Sequence, residues 1–516
     1  MEAALNRSGT RAPPPVRSVG MRDGSARPYR KEVAPPFAYV EVAFDPDSAA
    51  LRYEVHEPEL TEEERTASDS LVRDLPRILA PLEGPATPER RASHLARAVN
   101  EYLAARYPRL SSESRQRILY LRRRDALGYG PIDAILRDPE VEDVSCDGVG
   151  TAVFVYHSRF ESLRTNVAFT DESSLNAYVV RLAQRCSRSV SVAHPLLDAA
   201  TPEGHRVQLT FGRAVSGRGS TFTLRRFRDR PFTPIDLVRN GTWSPEVVAY
   251  LWLAAEHGDS MIVAGGPGAG KTSALNAIAL FVPSSAKIVS IEDTREIHLP
   301  HANWVPSTTR TGASAGGMGT GTGRARDIDL FDLLSAALRQ RPTHIVVGEV
   351  RGREAYTMFQ AMNTGHATYA TMHADSVRAL VQRLESPPIQ VPRALLGALR
   401  EVLIETVTRT PSGPARRMRE LIEVRGVDTD TGEVVSTPVF TWDDTADTFH
   451  YLGHSYLFER IAGATGRPVG AVDEEFRRRT EAIRALSESA ESLGPAEMWR
   501  WIREHRRWAR GSAEAP

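Results

Sequence analysis

The 516-residue sequence predicts an α/β chain built on a parallel sheet, with a small α+β domain ahead of it. Three observations carry this. From Pro245 onward, strand-like apolar runs alternate with helix-like segments, the order that a parallel sheet requires. Within that region an apolar run, Met261–Ala264, leads through a glycine-rich turn into the helical pattern Ser273–Leu280. Ahead of it, short strand-like runs (Val141–Ser145, Val153–Tyr156, Val207–Phe211, Thr221–Phe227) enclose a helical stretch around Leu175–Cys186, the pattern of a small mixed domain.

In chain order the sequence divides into five parts. Residues 1–34 mix Arg, Pro, Gly and Ser without apolar periodicity and are expected to be a disordered basic tail. Residues 35–125 form a mainly helical N-terminal module. Alternation over Phe37–Tyr53 predicts a strand, Glu62–Leu82 and Pro88–Tyr107 predict helices, and the charged run Arg115–Arg124 reads as a solvated helix face. Gly128, Gly130 and Pro131 then punctuate the start of the α+β domain, 126–240. The sheet-based domain spans 241–410 and opens on a helix at Pro245–Glu256. The remainder, 411–516, reads as a β-meander (Glu420–Val427, Val434–Trp442, Thr448–Tyr456) followed by a helical extension over Arg477–Arg510.

Composition narrows the function. With 41% hydrophobic and 25% charged residues the chain is ordinary for a globular protein, and no apolar stretch approaches a membrane span. The N-terminus lacks the apolar core of a secretory signal, so a cytoplasmic location is expected. A formal net charge of zero argues against a generic grip on nucleic acid. The two cysteines, Cys146 and Cys186, support neither a disulfide framework nor a four-thiolate zinc site, and read as packing residues. Only Lys31, Lys271 and Lys287 are lysines among 65 basic residues, so each remaining lysine is informative.

The glycine-rich turn reads Gly265-Gly266-Pro267-Gly268-Ala269-Gly270-Lys271-Thr272, with Ser273 next, and has the spacing of a phosphate-binding P-loop between a strand and a helix. Glycines let successive N–H groups converge on phosphate oxygens, and the helix start adds its positive dipole end. Lys271 is expected to neutralise β- and γ-phosphate oxygens, and Thr272 to ligate Mg²⁺. ATP and Mg²⁺ are therefore the expected ligands, and no zinc is expected. A second apolar run, Lys287–Ile291, ends in Glu292, Asp293, Thr294 and Arg295, placing carboxylates where open α/β sheets bind ligands. Alone, that pair also suits a helix cap or a turn.

Asp329–Gln340 carries a one-sided apolar stripe and is stopped by Pro342. His344–Val347 follows as an apolar strand ending in Gly348-Glu349, a Walker B-like segment with glycine where many P-loop enzymes carry an aspartate. His366 and His373 flank another apolar run; they are too few ligands for a metal site and suit hydrogen bonding to a γ-phosphate. Thr309–Arg326 is a glycine-rich loop of a length that is usually functional or disordered. The strands bearing Arg206, Arg225 and Arg226 precede the P-loop and could present charge to a nucleotide.

Taken in order, the P-loop, the acidic box at Glu292, the segment Gly348-Glu349-Val350-Arg351-Gly352 and the double-histidine box resemble the type II/IV secretion system ATPases. The resemblance covers about residues 126–410. The phrases EPELTEEE, IEDTREIHLPHANW and DTDTGEVV…FTWD resemble the archaeal-type branch, which drives type IV pili and archaella. It implies a RecA-like P-loop ATPase domain and a homo-hexameric ring that hydrolyses ATP. The ring would work at the cytoplasmic face of the membrane, against a polytopic platform protein and pilin-like subunits. By motif match Glu292, Glu349, Lys271, His366 and His373 are the expected catalytic residues. Residues 265–273, with Arg225 and Arg226, are the expected nucleotide contacts. Arg295, Arg341 and Arg351 fall on arginine-bearing segments of the family. A DNA translocase or conjugation-type exporter on the same core is the alternative.

Overall fold

A computed structural model of the chain describes residues 29–46, 48–79, 87–227, 230–310, 327–410, 413–490 and 492–509. The chain divides into two compact units, one comprising Met1–Ala134 with Arg409–Gly413, the other Ile135–Thr408 with the chain from Pro414. In the first unit, β1 (Tyr29–Ala34), β2 (Ala38–Asp45) and β3 (Ala50–His56) pair antiparallel in that order. Tyr29–Ala34 thus lie in a strand rather than in the expected tail, because Tyr29, Lys31 and Ala34 find register partners on β2. Residues 1–28 lie outside the described residues. The single strand expected over Phe37–Tyr53 is a hairpin, turned at Pro46 with Ser48 Oγ donating to Asp45 at 2.8 Å and Ala49 at φ 52°. Three helices follow, α1 (Glu62–Ile78), α2 (Pro88–Arg106) and α3 (Ser112–Ala126). Thr61, Thr87 and Ser111 cap their N-termini, and Leu71, Leu95, Val99, Leu103 and Ile118 form their common core.

A short helix, α4 (Asp133–Leu136), leads into the second unit. Its first sheet has the order β6 (Glu161–Ala168), β5 (Ala152–His157), β4 (Val141–Cys146), β9 (Thr221–Arg225), β8 (Arg206–Thr210), β7 (Leu196–Ala200), antiparallel throughout, with α5 (Glu172–Arg185) packed on it. Sequence patterning missed β6 and β7, whose outward residues are polar or exposed and leave only a weak alternation. Both cysteines are buried there.

Two helices, α6 (Pro234–Arg239) and α7 (Pro245–Glu256), then lead into the second sheet at β10 (Met261–Gly265), which continues into α8 (Lys271–Ala279). The chain goes on through β11 (Ile288–Glu292), β12 (Trp304–Thr308), α9 (Leu330–Ala337), β13 (His344–Val347), α10 (Glu354–Asn363), β14 (Ala367–Met372), α11 (Val377–Glu385) and β15 (Glu401–Thr410). The strand order β12-β11-β13-β14-β10-β15 is parallel. Alternate β10 residues feed opposite cores: Met261 and Val263 join α7 and α8, whereas Ile262 and Ala264 join α9, α10 and α11. Of the glycine-rich loop expected over Thr309–Arg326, residues 311–326 lie outside the described residues. Its base is closed by paired backbone hydrogen bonds between Arg310 and Ile328, 2.8 and 2.9 Å.

The sheet is extended by β16 (Gly413–Val427), β17 (Val434–Asp443) and β18 (Thr448–Tyr451), the last two pairs antiparallel. The strand expected over Thr448–Tyr456 stops early because Gly453 turns the chain and Ser455 caps α12 (Tyr456–Thr465). The expected helical extension is two helices, α13 (Val469–Glu488) and α14 (Pro495–Ala509), on the α7 side. Among the described residues no helix is long and apolar enough to cross a membrane.

Candidate functional site

Parallel register brings four strand ends to one edge. Ala264 pairs with Met372, Gly265 with Glu405, and Ile291 with Val347, so the loop after β10, Glu292, Gly348-Glu349 and His373 share the carboxyl edge of the sheet. The glycines of the loop are used for conformation and for space. Gly268 and Gly270 adopt φ of 70° and 97°, and a Cβ on Gly265 would stand 2.4 Å from the Glu405 carbonyl oxygen. Thr272 and Ser273 sit half-buried in the first turn of α8. Asn276 anchors that helix by donating to the carbonyls of Thr272 (3.2 Å) and Glu296 (3.0 Å) while accepting from His298 N (3.0 Å).

Lys271 is buried and donates to the Gly266 carbonyl at 2.8 Å. Burial lowers its pKa, as do Arg225 and Arg351, while Glu349 opposes the shift. His373 Nδ1 lies 3.4 Å from Lys271 Nζ, and its Nε2 lies 3.0 Å from Glu349. Burial and then Lys271 lower the His373 pKa, which favours the neutral ring that accepts from Lys271 and donates to Glu349. Burial alone would raise the Glu349 pKa, but Arg351, His373 and Lys271 hold it below the usual carboxylate value. The second Glu349 oxygen is ion-paired with Arg351. Glu354 fixes this turn by accepting from the backbone N of both Arg351 and Gly352 at 2.7 Å. A chain Lys271–His373–Glu349–Arg351 therefore runs across the mouth of the loop.

Glu292 differs from Glu349. It is 2% exposed, and one oxygen accepts from the backbone N of Glu296 and Ile297 at 2.8 and 2.9 Å. Its other oxygen is buried without a hydrogen-bond partner among the described residues, and burial pushes its pKa up to about 8. Gly348 lies directly beneath it.

The structure does not bring every expected residue to this edge. His366 precedes β14 and sits at the opposite edge, its Nδ1 against the Ala361 carbonyl (3.2 Å) and Thr364 Oγ1 (3.1 Å). There it lines a polar cavity of about 240 Å³ with Asp259, Asn363 and Arg400. Arg226 donates to the carbonyls of Leu136 (3.0 Å) and Pro139 (3.2 Å), bracing the segment before β4. Arg225 pairs with Asp143 at 3.2 Å and is near enough to depress Lys271 electrostatically. Arg206 is held by Asp198 at 2.7 Å, with Arg351 close by. Arg295 lies over the Trp304 ring, 5.1 Å from its centroid. One residue that sequence reasoning missed touches the loop itself: Arg416 on β16, whose Nε donates to the Gly268 carbonyl at 2.8 Å.

Comparison with known proteins identifies the family of the chain. A family model described as type II/IV secretion system protein matches residues 127–417. An uncharacterized protein of the archaeon Methanocaldococcus jannaschii is 38% identical over 361 residues, 69% of this chain and 64% of that protein, so the match spans under two thirds of that relative. The type IV secretion system protein PtlH of Bordetella pertussis is 31% identical over 283 residues, 48% of this chain and 80% of that protein. Among solved structures, the Legionella pneumophila ATPase DotB aligns at a TM-score of 0.40 and 16% identity, over 74% of this chain and 91% of that one. A glycine-rich strand–helix loop and two acidic strand ends on one edge of a parallel sheet, preceded by an arginine-bearing antiparallel sheet, lie within the matched segment, and the chain belongs to the type II/IV secretion system protein family.

Proposed function

We propose that this chain is a Mg²⁺-dependent ATP-hydrolysing motor that powers assembly or export of pilus-, archaellum- or secretion-type substrates. The observation that carries the reading is the Lys271–His373–Glu349 chain laid across the P-loop, with a second, buried carboxylate, Glu292, beside it. The cradle fits a triphosphate: Cβ positions on Gly266 and Gly268 meet nothing within 4 Å, and the Lys271 ammonium rests on a loop carbonyl that phosphate oxygens can replace. Residues 265–273 would hold the phosphates and Thr272 the Mg²⁺, which would supply charge neutralisation at the β- and γ-oxygens. Glu349, ionised and flanked by His373, orients the attacking water; Glu292 joins it as a base once ionised. Arg225 and Arg351 supply positive charge toward the developing anion.

The larger setting we propose, by analogy with the family, is a homo-hexamer at the cytoplasmic face of the membrane, engaging a polytopic platform protein and pilin-like subunits. Phosphate release by the purified chain with Mg-ATP, compared with Lys271→Ala and Glu349→Gln and measured with and without single-stranded DNA, tests the reading. Turnover that needs both residues and ignores DNA supports it. DNA stimulation would move the chain to a translocase, and no turnover in any oligomer would leave a nucleotide-binding scaffold.

A further inference from the structure

We propose that Arg416 is a further positioning residue of the nucleotide loop and that Glu142 holds it in place; this rests on the nucleotide reading above. Arg416 belongs to β16 and reaches the loop from outside the strand–loop–helix motif. Its Nε donates to the Gly268 carbonyl at 2.8 Å, while Nη2 donates to both oxygens of Glu142 at 3.0 and 3.2 Å. Its stem lies along the loop, since a Cβ on Gly270 would stand 3.4 Å from Arg416 Cδ.

The loop needs such a grip. Around Gly266 and Gly268 a Cβ would meet nothing within 4 Å, so packing does not fix the peptide planes there. In a trans peptide the carbonyl and the following N–H point in opposite directions. Tying the Gly268 carbonyl outward to Arg416 therefore turns the Ala269 N–H inward, toward the concavity where phosphate oxygens accept. Among the described residues that N–H makes only a long contact of 3.4 Å, to the Gly266 carbonyl. Glu142 supplies the counter-charge that keeps the guanidinium in place. The next residue on β4, Asp143, holds Arg225 in the same way at 3.2 Å. One strand of the α+β sheet thus sets both the arginine that shapes the loop and the arginine whose charge Lys271 feels.

The test is equilibrium binding of a fluorescent ADP to the full chain, with KM and kcat for Mg-ATP, for Arg416→Met, Arg416→Lys, Glu142→Gln and the pair Arg416→Met/Glu142→Gln. Arg416→Met keeps the apolar stem and removes the charged donors. It is expected to weaken ADP binding and raise KM about tenfold, the effect of losing one charge-assisted hydrogen bond, with kcat changed less than about threefold. Arg416→Lys should recover part of the loss, because an ammonium reaches one of the two partners. Glu142→Gln should give an intermediate loss that disappears in the Arg416→Met background. A purely structural role would lower the melting temperature without this KM-to-kcat split or the non-additivity.

Binding by Arg416→Met within twofold of the unaltered chain overturns the proposal. So does a Glu142→Gln effect that is the same in both backgrounds. Should the unaltered chain bind no ADP, the nucleotide reading fails and this inference falls with it.

Discussion

A Cβ placed on Gly348 would stand 3.0 Å from Glu292 Cγ, so this glycine after β13 is the floor on which the buried carboxylate rests. An aspartate there would meet Glu292 in an enclosed space and add a second acid beside one that is already hard to ionise. Gly348→Ala is expected to lose about 1–2 kcal/mol of stability by overpacking. Gly348→Asp should lose more and gain no turnover. Urea denaturation alongside phosphate release checks both, and a more active Gly348→Asp variant would contradict this account of the glycine.

Glu292 also sets a pH dependence. Its folded pKa is raised to about 8 from an ordinary value near 4.5, so between those limits the folded chain binds more protons than the unfolded one. Its contribution to stability is therefore greatest below the unfolded pKa and declines as pH rises toward 8. Glu292→Gln should raise the melting temperature relative to the unaltered chain more at pH 9 than at pH 5. With Glu292 as the proposed base, kcat/KM for Mg-ATP should rise as pH passes through about 8, and this limb should vanish in Glu292→Gln.

The two histidines are expected to separate experimentally. His373→Ala removes the group between Lys271 and Glu349 and should lower turnover about a hundredfold, the lower end of the usual range for a positioned acid–base partner. His366→Ala loses hydrogen bonds at the far edge of the sheet. It should cost about 1 kcal/mol of stability and leave ADP affinity within about twofold. Phosphate release and fluorescent-ADP titration on both variants distinguish them, and equal losses of turnover and affinity would place His366 at a nucleotide.

What the sequence made legible was local. The loop after β10 announced itself because its glycines, lysine and threonine sit within eight residues of one another and between the right elements. The histidine pair misled because its spacing is close to one strand length: the six residues of β14, at about 3.3 Å each, carry the chain some 20 Å across the sheet between them. Strand polarity, once known, assigns His373 to the site edge. Gly348 beneath Glu292, and Arg416 on the loop from a strand far downstream, are contacts between distant parts of the chain, and no spacing rule encodes them. The hairpin of β2 and β3 was legible in part, since Pro46 breaks the alternation where the turn falls.

A buried ion network joins the C-terminal extension to the sheet domain. Arg479 on α13 is fully buried, paired with Glu256 of α7 at 2.9 Å and with Glu475, and lies 4.4 Å from the centroid of the Trp252 ring. Removing it leaves two buried acids, with Arg506 at 3.3 Å from Glu256 and Arg467 at 2.7 Å from Glu475 as described partners. Arg479→Met is therefore expected to cost about 3 kcal/mol, the lower end for breaking a buried ion pair. Arg479→Lys should recover little, since a compact ammonium cannot bridge both acids and cover the indole. Urea unfolding followed by tryptophan fluorescence measures this, with Trp252 reporting from beneath the guanidinium. A loss below about 1 kcal/mol, the size of a surface pair, would mean that apolar packing of α13 against α7, rather than the charge network, holds the extension in place.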